Sequence, residues 1–228
     1  MYHSRQSHPA IPPMFQQTVY VVDDEEVIRV LLSELLGAHG YHVRTFESAE
    51  AFLEALHPEW QGCLLLDMVL PGMSGMALQE ALAQRAFSMP IVFVSGQGDI
   101  PSTVRAMRHG ADDFLTKPVV GEELLRAVAH ALARDREARQ AAAERQASLA
   151  RLATLSARER EILYMALAGL QNKEIARELG LSHRTVEAHR SRVLLKLGVD
   201  SVIAAMRLVN AAEASSCAPA MAAGARSQ

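Results

Sequence analysis

The fold of the first half of this chain is decided by VYVVDD (residues 19–24), CLLLDM (63–68) and DFLTKP (113–118). Each stretch is a short apolar run that ends in charged residues, a pattern typical of a buried parallel strand at the point where it leaves its sheet. Because ligands bind at the carboxyl ends of the strands in such sheets, we expect the polar residues that follow these runs to meet at one edge. These residues are Asp23, Asp24, Asp67 and Lys117.

Apolar runs alternate with helical patterns throughout this half. Strands are predicted at residues 19–22, 43–46, 63–66, 90–95 and 113–116, and helices at about 27–36, 48–56, 76–85, 100–108 and from 121 onwards. Five strands that alternate with five helices predict an α/β fold with a doubly wound parallel sheet. Ser95 ends the fourth predicted strand and therefore belongs to the same edge.

Three carboxylates and an ammonium group at a sheet edge suit a site for magnesium and a phosphoryl group. Asp24 and Asp67 would bind Mg²⁺ through oxygen, Asp23 would bind it directly or through water, and the backbone carbonyl of Val69 would add a ligand. Asp67 would be the nucleophile, since a carboxylate that attacks a phosphoryl donor forms an acyl phosphate. Taken singly, each of these side chains suits a helix cap, a surface charge or a salt bridge equally well, so the prediction rests on their coincidence at strand ends.

The phosphoryl group has two further predicted contacts. Lys117 would pair with one phosphoryl oxygen, and Ser95 would donate a hydrogen bond to another. The peptide bond between Lys117 and Pro118 is a candidate for the cis form, which would aim the lysine at the site.

Composition separates the two halves of the chain and excludes some classes of protein. Residues 18–132 carry 7 Lys and Arg against 16 Asp and Glu, whereas residues 151–210 carry 10 against 6. One interpretation is an acidic half that binds a cation and a basic half that binds a polyanion, and the other is ordinary solvated surface. The 228 residues include two cysteines, no run of 18 apolar residues and no signal-peptide pattern. We therefore expect a cytoplasmic protein without a disulfide framework or a membrane span.

The motifs of residues 18–133 resemble the receiver domain of two-component response regulators. The resemblance rests on Asp23-Asp24, on Asp67 followed by the PGMSG loop (71–75), on SGQGD (95–99) and on Lys117-Pro118. It implies a flavodoxin-like strand order 2-1-3-4-5, with Asp67 as the phosphoacceptor and Phe114 as a switch aromatic that moves together with Ser95. Val119 stands where many relatives carry Phe, and Gln97 stands where many carry His, close enough to the site to affect the lifetime of the acyl phosphate.

The second half of the chain is predicted to be helical. Residues 134–150 contain no Gly or Pro and continue the preceding helix as a linker, either as a solvated spacer or as a coiled coil. An all-α domain of four helices follows at 151–210, and its last helix is predicted from Ser201 to Val209. Residues 1–17 and 211–228 are predicted to be a disordered leader and a disordered tail.

Caps and a turn mark the helices of this second domain. Ser156 and Glu159 predict a capping box, Asn172 and Ser182 predict the caps of the next two helices, and Gly180 lies in the turn between those helices. Two helices joined by such a turn form a helix-turn-helix, whose second helix is basic and of the right length for the major groove of DNA. A charged, solvated helix is the alternative that charge alone leaves open.

The same domain resembles the LuxR-type helix-turn-helix. The matching stretches are LSARERE (155–161) and GLQNKEIARELGLSHRTVEAHRSRVLLKLGV (169–199). By this resemblance the side chains that face bases are Glu187, Ala188 and Ser191, and Glu187 could accept a hydrogen bond from a cytosine amino group. The candidates for phosphate contact are Lys173, Arg184, Thr185, Arg190, Arg192 and Lys196.

Together the two halves resemble the FixJ/NarL family, most closely its FixJ branch, over about 190 residues. The resemblance implies a DNA-binding transcriptional regulator of a two-component phosphorelay. A sensor histidine kinase would phosphorylate Asp67 in the presence of Mg²⁺, and the resulting homodimer would bind two half-sites on double-stranded DNA.

Two alternatives are weighed against this interpretation. An enzyme that uses an aspartyl phosphate, such as a phosphatase or phosphotransferase, would need an acid/base aspartate two residues after its nucleophile. Val69 stands at that position, so we do not expect an enzyme. The other alternative is a DNA-binding protein whose receiver works without phosphorylation, and the complete set of acidic residues argues against it.

Overall fold

A computed structural model of the protein describes residues 18–96, 110–119 and 121–213. The chain divides into two compact units between Ala138 and Arg139. In the described part of the chain, no helix has the length and apolar character that a membrane span requires. The predicted leader at 1–17, the helix at 100–108, Gln97 and the tail from 214 onwards lie outside the described residues.

The first unit is built on a five-stranded sheet. Its strands are β1 (Thr18–Val22), β2 (His42–Phe46), β3 (Gly62–Asp67), β4 (Ile91–Ser95) and β5 (Asp113–Thr116). They are all parallel and lie in the order β2-β1-β3-β4-β5, which confirms the predicted sheet and its order. The register pairs Val22 with Leu66 and Ser95 with Thr116, so the residues that follow the strands emerge at one edge.

Helices cover both faces of this sheet. They are α1 (Glu26–Ala38), α2 (Ala49–Ala55), α3 (Gly75–Gln84) and α4 (Gly121–Ala153). Alternate residues of β1 point to opposite faces: Tyr20 packs into a core with α2 and α3, and Val21 packs into a second core with α1 and α4. Cys63 is fully buried in the second core, and this burial raises the pKa of its thiol above the usual range.

The helix α4 is bonded to the edge of the sheet where the strands begin. The N–H of Gly62, the first residue of β3, donates to Asp135 Oδ2 at 3.0 Å, and Asp135 is the last buried residue of α4. Arg134 pairs with Asp112, whose second oxygen accepts from the N–H of Ile91 at 3.1 Å. Two neighbouring residues of one helix therefore hold it to the starts of β3 and β4.

A set of aromatic rings lies beside the outer strand β2. The ring of Trp60, the single tryptophan of the chain, stacks on Tyr20 at a centroid distance of 4.4 Å. The guanidinium of Arg44, an exposed residue of β2, lies 4.4 Å from the centroid of Trp60. This contact combines cation–π attraction with cover for the aromatic surface.

In the second unit, four helices follow the end of α4 within the described residues up to Glu213. They are α5 (Ala157–Leu167), α6 (Asn172–Leu179), α7 (His183–Leu197) and α8 (Val202–Glu213). The capping box is confirmed, because Ser156 Oγ accepts from the N–H of Glu159 at 3.2 Å and Glu159 Oε2 accepts from the N–H of Ser156 at 2.8 Å. Ser182 caps α7 as predicted, and Gly180 turns the chain in the left-handed conformation at φ +64°.

Two predictions for this unit are wrong. Asn172 is not the cap of α6: Gln171 occupies that position, and Asn172 begins the helix with its Oδ1 bound to Arg190. The last helix runs to Glu213 and does not end at Val209. Buried Ala212, whose carbonyl accepts from Arg145 Nε at 3.1 Å, extends the helix into the predicted tail.

Gly62→Ala should lower the free energy of unfolding by about 2–3 kcal/mol. Gly62 has φ +136°, and a Cβ atom there would lie 1.8 Å from the carbonyl oxygen of Thr18. Urea titration followed by Trp60 fluorescence measures the loss.

Gly37→Ala is the matched control, because Gly37 lies in a helix and, apart from its chain neighbours and that helix's backbone, no atom of the described residues lies within 4 Å of its Cβ position. The control should match the wild type or exceed its stability by up to about 1 kcal/mol. Equal midpoints for the two variants would contradict the packing assigned to Gly62.

Candidate functional site

Three side chains from distant parts of the chain meet where the strands of the sheet end. Asp23 follows β1, Asp67 ends β3 and Lys117 follows β5. The ammonium of Lys117 lies 2.8 Å from Asp23 Oδ2 and 2.6 Å from Asp67 Oδ2. The side chains of the two acids are only 3% and 7% exposed, so this pair of ionic hydrogen bonds is shielded from water.

The pKa values of these groups reflect both their burial and their pairing. Burial raises the pKa of Asp23 above its ordinary value, although the hydrogen bond from Lys117 acts in the opposite direction. Burial alone would lower the pKa of Lys117, but its hydrogen bonds to Asp23 and Asp67 outweigh burial and raise that pKa. The lysine therefore stays charged at neutral pH.

A third carboxylate in this group is Glu25, which sequence reasoning missed. Oxygen atoms of Asp23, Glu25 and Asp67 lie within 4.8 Å of one another, and Glu25 Oε1 is 3.5 Å from Lys117 Nζ. Asp24, the predicted ligand, is not a member of this group, and since Asp24 and Glu25 are both exposed, exposure does not distinguish them. The signal was present in the acidic run at residues 23–26, but that run does not say which of its side chains lies near Asp67.

Arg29 of α1 also escaped prediction. Its Nη1 donates to the carbonyl oxygens of Asp23 at 2.8 Å and Asp24 at 2.9 Å. The guanidinium thereby holds the backbone that leads from β1 into α1, with the acidic side chains on that backbone.

The loop after Asp67 folds back closely onto this residue. Asp67 Oδ1 accepts from the N–H of Val69 at 2.9 Å, and the N–H of Gly75 donates to the carbonyl oxygen of Met68 at 3.2 Å. A Cβ atom at Gly75 would lie 2.2 Å from the carbonyl oxygen of Asp67, so glycine is required for this approach. The predicted ligand carbonyl of Val69 belongs to this loop.

The remaining predicted residues of this site lie on β4 and β5. Ser95 is fully buried at the end of β4, and its carbonyl accepts from the N–H of Lys117 at 2.8 Å. The Lys117–Pro118 peptide bond, for which the sequence left the cis form open, is cis. Phe114 is half-buried on β5 and packs against the core under α2 and α3.

In the second unit, α7 presents an exposed face opposite its buried one. The side chains of Val186, Val193 and Leu197 are buried against the neighbouring helices. The three residues predicted to face bases are all exposed: Glu187, Ala188 and Ser191. Four of the six predicted phosphate contacts are exposed as well: Lys173, Arg184, Arg192 and Lys196.

Three of the six candidates for phosphate contact, Thr185, Arg190 and Lys196, already have partners within the unit. Thr185 Oγ1 lies 2.7 Å from the hydroxyl of Ser182, and Arg190 is bonded to Asn172. Lys196 Nζ lies 2.7 Å from Glu159 Oε2. These side chains stabilise the unit, and only part of their hydrogen-bonding capacity remains for a ligand.

The Glu159 carboxylate links α5 to α7. Its side chain is 6% exposed, whereas that of Lys196 is 40% exposed. Hydrogen bonds from Lys196 and from the N–H of Ser156 lower the pKa of Glu159 to about 2, although burial opposes this shift.

Comparisons with known proteins identify both units. The family model for the response regulator receiver domain matches residues 19–129, and the one for bacterial regulatory proteins of the luxR family matches residues 153–209. The transcriptional regulatory protein TdiR of Thauera aromatica is 48% identical over 184 residues, which cover 81% of each chain. FixJ of Bradyrhizobium diazoefficiens is 38% identical over 190 residues, which cover 83% of this chain and 93% of that protein. The solved structure of the response regulator StyR matches with a TM-score of 0.78 at 44% identity, covering 85% of this chain and 98% of that one.

Glu159→Gln should remove a pH-dependent part of the stability of the second unit. The folded pKa lies below the unfolded value of 4.5, so the wild type has this stabilisation in full above about pH 5 and loses it as the pH falls towards 2. Glutamine can still accept the capping hydrogen bond from Ser156 but cannot form the ion pair with Lys196. Urea titrations at pH 3, 5 and 7, followed by the amide resonances of α5 in ¹⁵N-labelled protein, should show a difference from the wild type that shrinks at pH 3.

Glu161→Gln is the control, because Glu161 lies on the same helix in an exposed ion pair with Arg158. Such a pair contributes little to stability, so this variant should follow the wild type at each pH. A difference between Glu159→Gln and the wild type that stays constant from pH 3 to 7 would contradict the ion pair assigned to Glu159.

Proposed function

Because this chain belongs to the two-component response regulators of the FixJ/NarL type, which join a receiver domain to a LuxR-type DNA-binding domain, we propose that phosphorylation of Asp67 is its switch. The chain is a DNA-binding transcription regulator, and a sensor histidine kinase is the proposed donor of the phosphoryl group. The observation that carries the proposal is the position of Asp67, nearly buried at a strand end, with the Lys117 ammonium 2.6 Å from its Oδ2.

The proposed transfer moves a phosphoryl group from a kinase histidine to a carboxylate oxygen of Asp67. The phosphorus–nitrogen bond breaks as the phosphorus–oxygen bond forms, and the histidine nitrogen keeps the electron pair. Lys117 starts in contact with the carboxylate and would turn to a phosphoryl oxygen as the negative charge moves outward. The small exposure of Asp67 limits the access of water to the acyl phosphate.

The proposed cofactor is Mg²⁺, and the oxygen donors present fit it. Asp23, Glu25 and Asp67 offer carboxylate oxygens close together, which a hard cation prefers. Asp24 and the carbonyl of Val69 remain predicted ligands. When bound, the cation would neutralise charge on the transferred group.

Two residues are proposed to pass the signal from the site to the rest of the receiver. Ser95 would donate its hydroxyl to a phosphoryl oxygen, which would pull the end of β4 towards Asp67. Phe114, half-buried on the neighbouring strand, would move into the space that Ser95 leaves. The strength of the switch is limited by the difference in free energy that the phosphoryl group makes between the two states.

Phosphorylation is proposed to favour a homodimer that binds DNA through α7. The exposed face with Glu187, Ala188 and Ser191 would enter the major groove, and Lys173, Arg184 and Arg192 would contact phosphates. Arg190 and Lys196 should contribute less, because each would first have to leave its partner. Two half-sites would then lie about 34 Å apart along one side of the duplex, or a multiple of this distance.

An enzyme with an aspartyl-phosphate intermediate is the competing interpretation. Val69, two residues after Asp67, has an aliphatic side chain that is 67% exposed and cannot transfer protons. We therefore propose that the acyl phosphate accumulates as a stoichiometric mark and does not turn over continuously.

Asp67→Asn should abolish labelling by acetyl phosphate and Mg²⁺, whereas the wild type should take up one phosphoryl group per chain. Asparagine keeps the size of the side chain but is too weak a nucleophile to form the acyl phosphate. Intact-mass spectrometry counts the bound groups, and a phosphate-release assay measures turnover. Asp113→Asn, at the opposite end of β5, is the control and should label like the wild type. A labelled Asp67→Asn variant, or steady phosphate release by the wild type, would overturn the proposed role.

Lys173→Ala or Arg192→Ala should weaken binding to all DNA sequences alike. Each loss of a phosphate contact should also reduce the slope of log affinity against log salt concentration by about 0.9. Glu187→Ala should instead change the relative affinity for operators that differ at a cytosine. Fluorescence anisotropy with phosphorylated protein and a series of duplexes measures both effects.

Arg207→Ala serves as the control for these variants, since Arg207 is an exposed base on α8 and lies outside the two helices of the helix-turn-helix. This variant should bind each duplex like the wild type. Equal losses on every duplex for Glu187→Ala would contradict the base-facing role proposed for Glu187.

A further inference from the structure

We propose that Glu50 is a positioning residue for the phosphoryl site, a role that rests on the proposed function of Asp67. Glu50 lies in the first turn of α2, and its Oε1 accepts from the N–H of Met73 at 2.8 Å. Met73 lies in the middle of the loop that leaves Asp67. The bond therefore joins this loop to an element that contains none of the residues of the phosphoryl site.

The Glu50 carboxylate lies beside the turn of the loop at Gly72. Gly72 has φ +75°, in the region that favours glycine, and a Cβ atom there would lie 2.8 Å from Glu50 Oε1. The carboxylate thus occupies the space that any side chain at residue 72 would need. The hydrogen bond from Met73, next to a glycine with this backbone conformation, therefore places the Glu50 carboxylate directly against the turn of the loop.

Both ends of the same loop are already held at Asp67. Asp67 Oδ1 accepts from the N–H of Val69 at the start of the loop, and Gly75 packs against the Asp67 carbonyl at its end. Between these ends, the Glu50 bond fixes the turn at Gly72 and Met73. The loop is therefore held at three points, two of them at the phosphoacceptor and one at Glu50.

The helix that carries Glu50 is itself fixed in the core. Ser48 caps α2 by accepting from the N–H of Ala51 at 3.1 Å, and Phe52 is fully buried between the sheet and α2. Because α2 is fixed, the hydrogen bond between Met73 and Glu50 fixes the middle of the loop relative to α2. Its own side chain is exposed, so its removal leaves no cavity in the core.

Loss of this anchor should affect chemistry more than stability. If the loop could shift at Met73, Val69 would be placed less accurately. Both its carbonyl and its N–H, which donates to Asp67 Oδ1, would be affected. Supporting residues around a metal site commonly change metal affinity by about 10-fold or more, so Glu50→Ala should weaken binding of a divalent cation by about 10-fold. Glu50→Gln keeps an oxygen that can accept from Met73 and should restore most of that affinity.

The test uses the full chain and Mn²⁺ as the probe, with free Mn²⁺ measured by electron paramagnetic resonance and Mg²⁺ added as a competitor. The same samples are then labelled with acetyl phosphate over a range of Mg²⁺ concentrations. Glu54→Ala is the matched control, because Glu54 is an exposed glutamate one turn further along α2. Urea titration by Trp60 fluorescence shows whether any variant has lost its fold.

The proposal is supported if Glu50→Ala weakens Mn²⁺ binding and raises the Mg²⁺ concentration needed for half-maximal labelling, while Glu54→Ala and Glu50→Gln stay near the wild type. It is overturned if Glu50→Ala and Glu54→Ala bind Mn²⁺ equally well. It is also overturned if Glu50→Gln is as weak as Glu50→Ala, because the effect would then come from charge and not from the bond to Met73. A wild type that binds Mn²⁺ but never takes up phosphate would refute the proposed function, while the Mn²⁺ comparison would still decide the role of Glu50.

Discussion

The chemistry of the first unit depends on one ammonium group held between two nearly buried carboxylates. Asp23 and Asp67 would repel each other at this depth if Lys117 did not stand between them. The lysine is 94 residues from one acid and 50 residues from the other along the chain, so the contact exists only when β1, β3 and β5 take their places in one sheet. The positive charge of Lys117 offsets the repulsion between the two carboxylates in the folded protein. The same charge would offset the negative charge of a phosphoryl group on Asp67. The contact of Lys117 with the two acids therefore serves both the fold and the proposed phosphoryl transfer. Both depend on the strand order that brings these three residues together.

Much of this arrangement was predictable because buried parallel strands are continuous apolar runs. A charged residue at the end of such a run must lie at the edge of the sheet, so Asp67 and Lys117 could be placed without coordinates. Glu25 could not, because consecutive acidic residues after β1 all satisfy the same pattern. Arg29 binds the carbonyl oxygens of Asp23 and Asp24, a contact between side chain and backbone that the acidic run does not reveal. The bond between Gly62 and Asp135 joins residues 73 apart in the chain and left no periodic signal in the sequence.

The second unit shows the limits of reasoning from charge. Its sequence has more bases than acids, and the count treats every base as available to DNA. In the structure two of these bases are already bonded within the unit: Lys196, although 40% exposed, pairs with Glu159, and Arg190 pairs with Asn172. The end of α8 was mispredicted because an alanine-rich segment without Gly or Pro contains no local signal that ends a helix. A tertiary contact, between Arg145 and the carbonyl of Ala212, extends that helix.

The outer strand β2 has a consequence for how copies of this protein can associate. An outer strand exposes unpaired backbone groups, and a strand from a neighbouring molecule can add to them unless something opposes it. Here the strand is five residues long and bears the exposed side chains of His42 and Arg44, with Arg44 drawn over Trp60. A short strand with a positive charge at the edge of a sheet opposes the addition of a second strand. Lengthening of the sheet across β2 by a neighbouring molecule is therefore disfavoured.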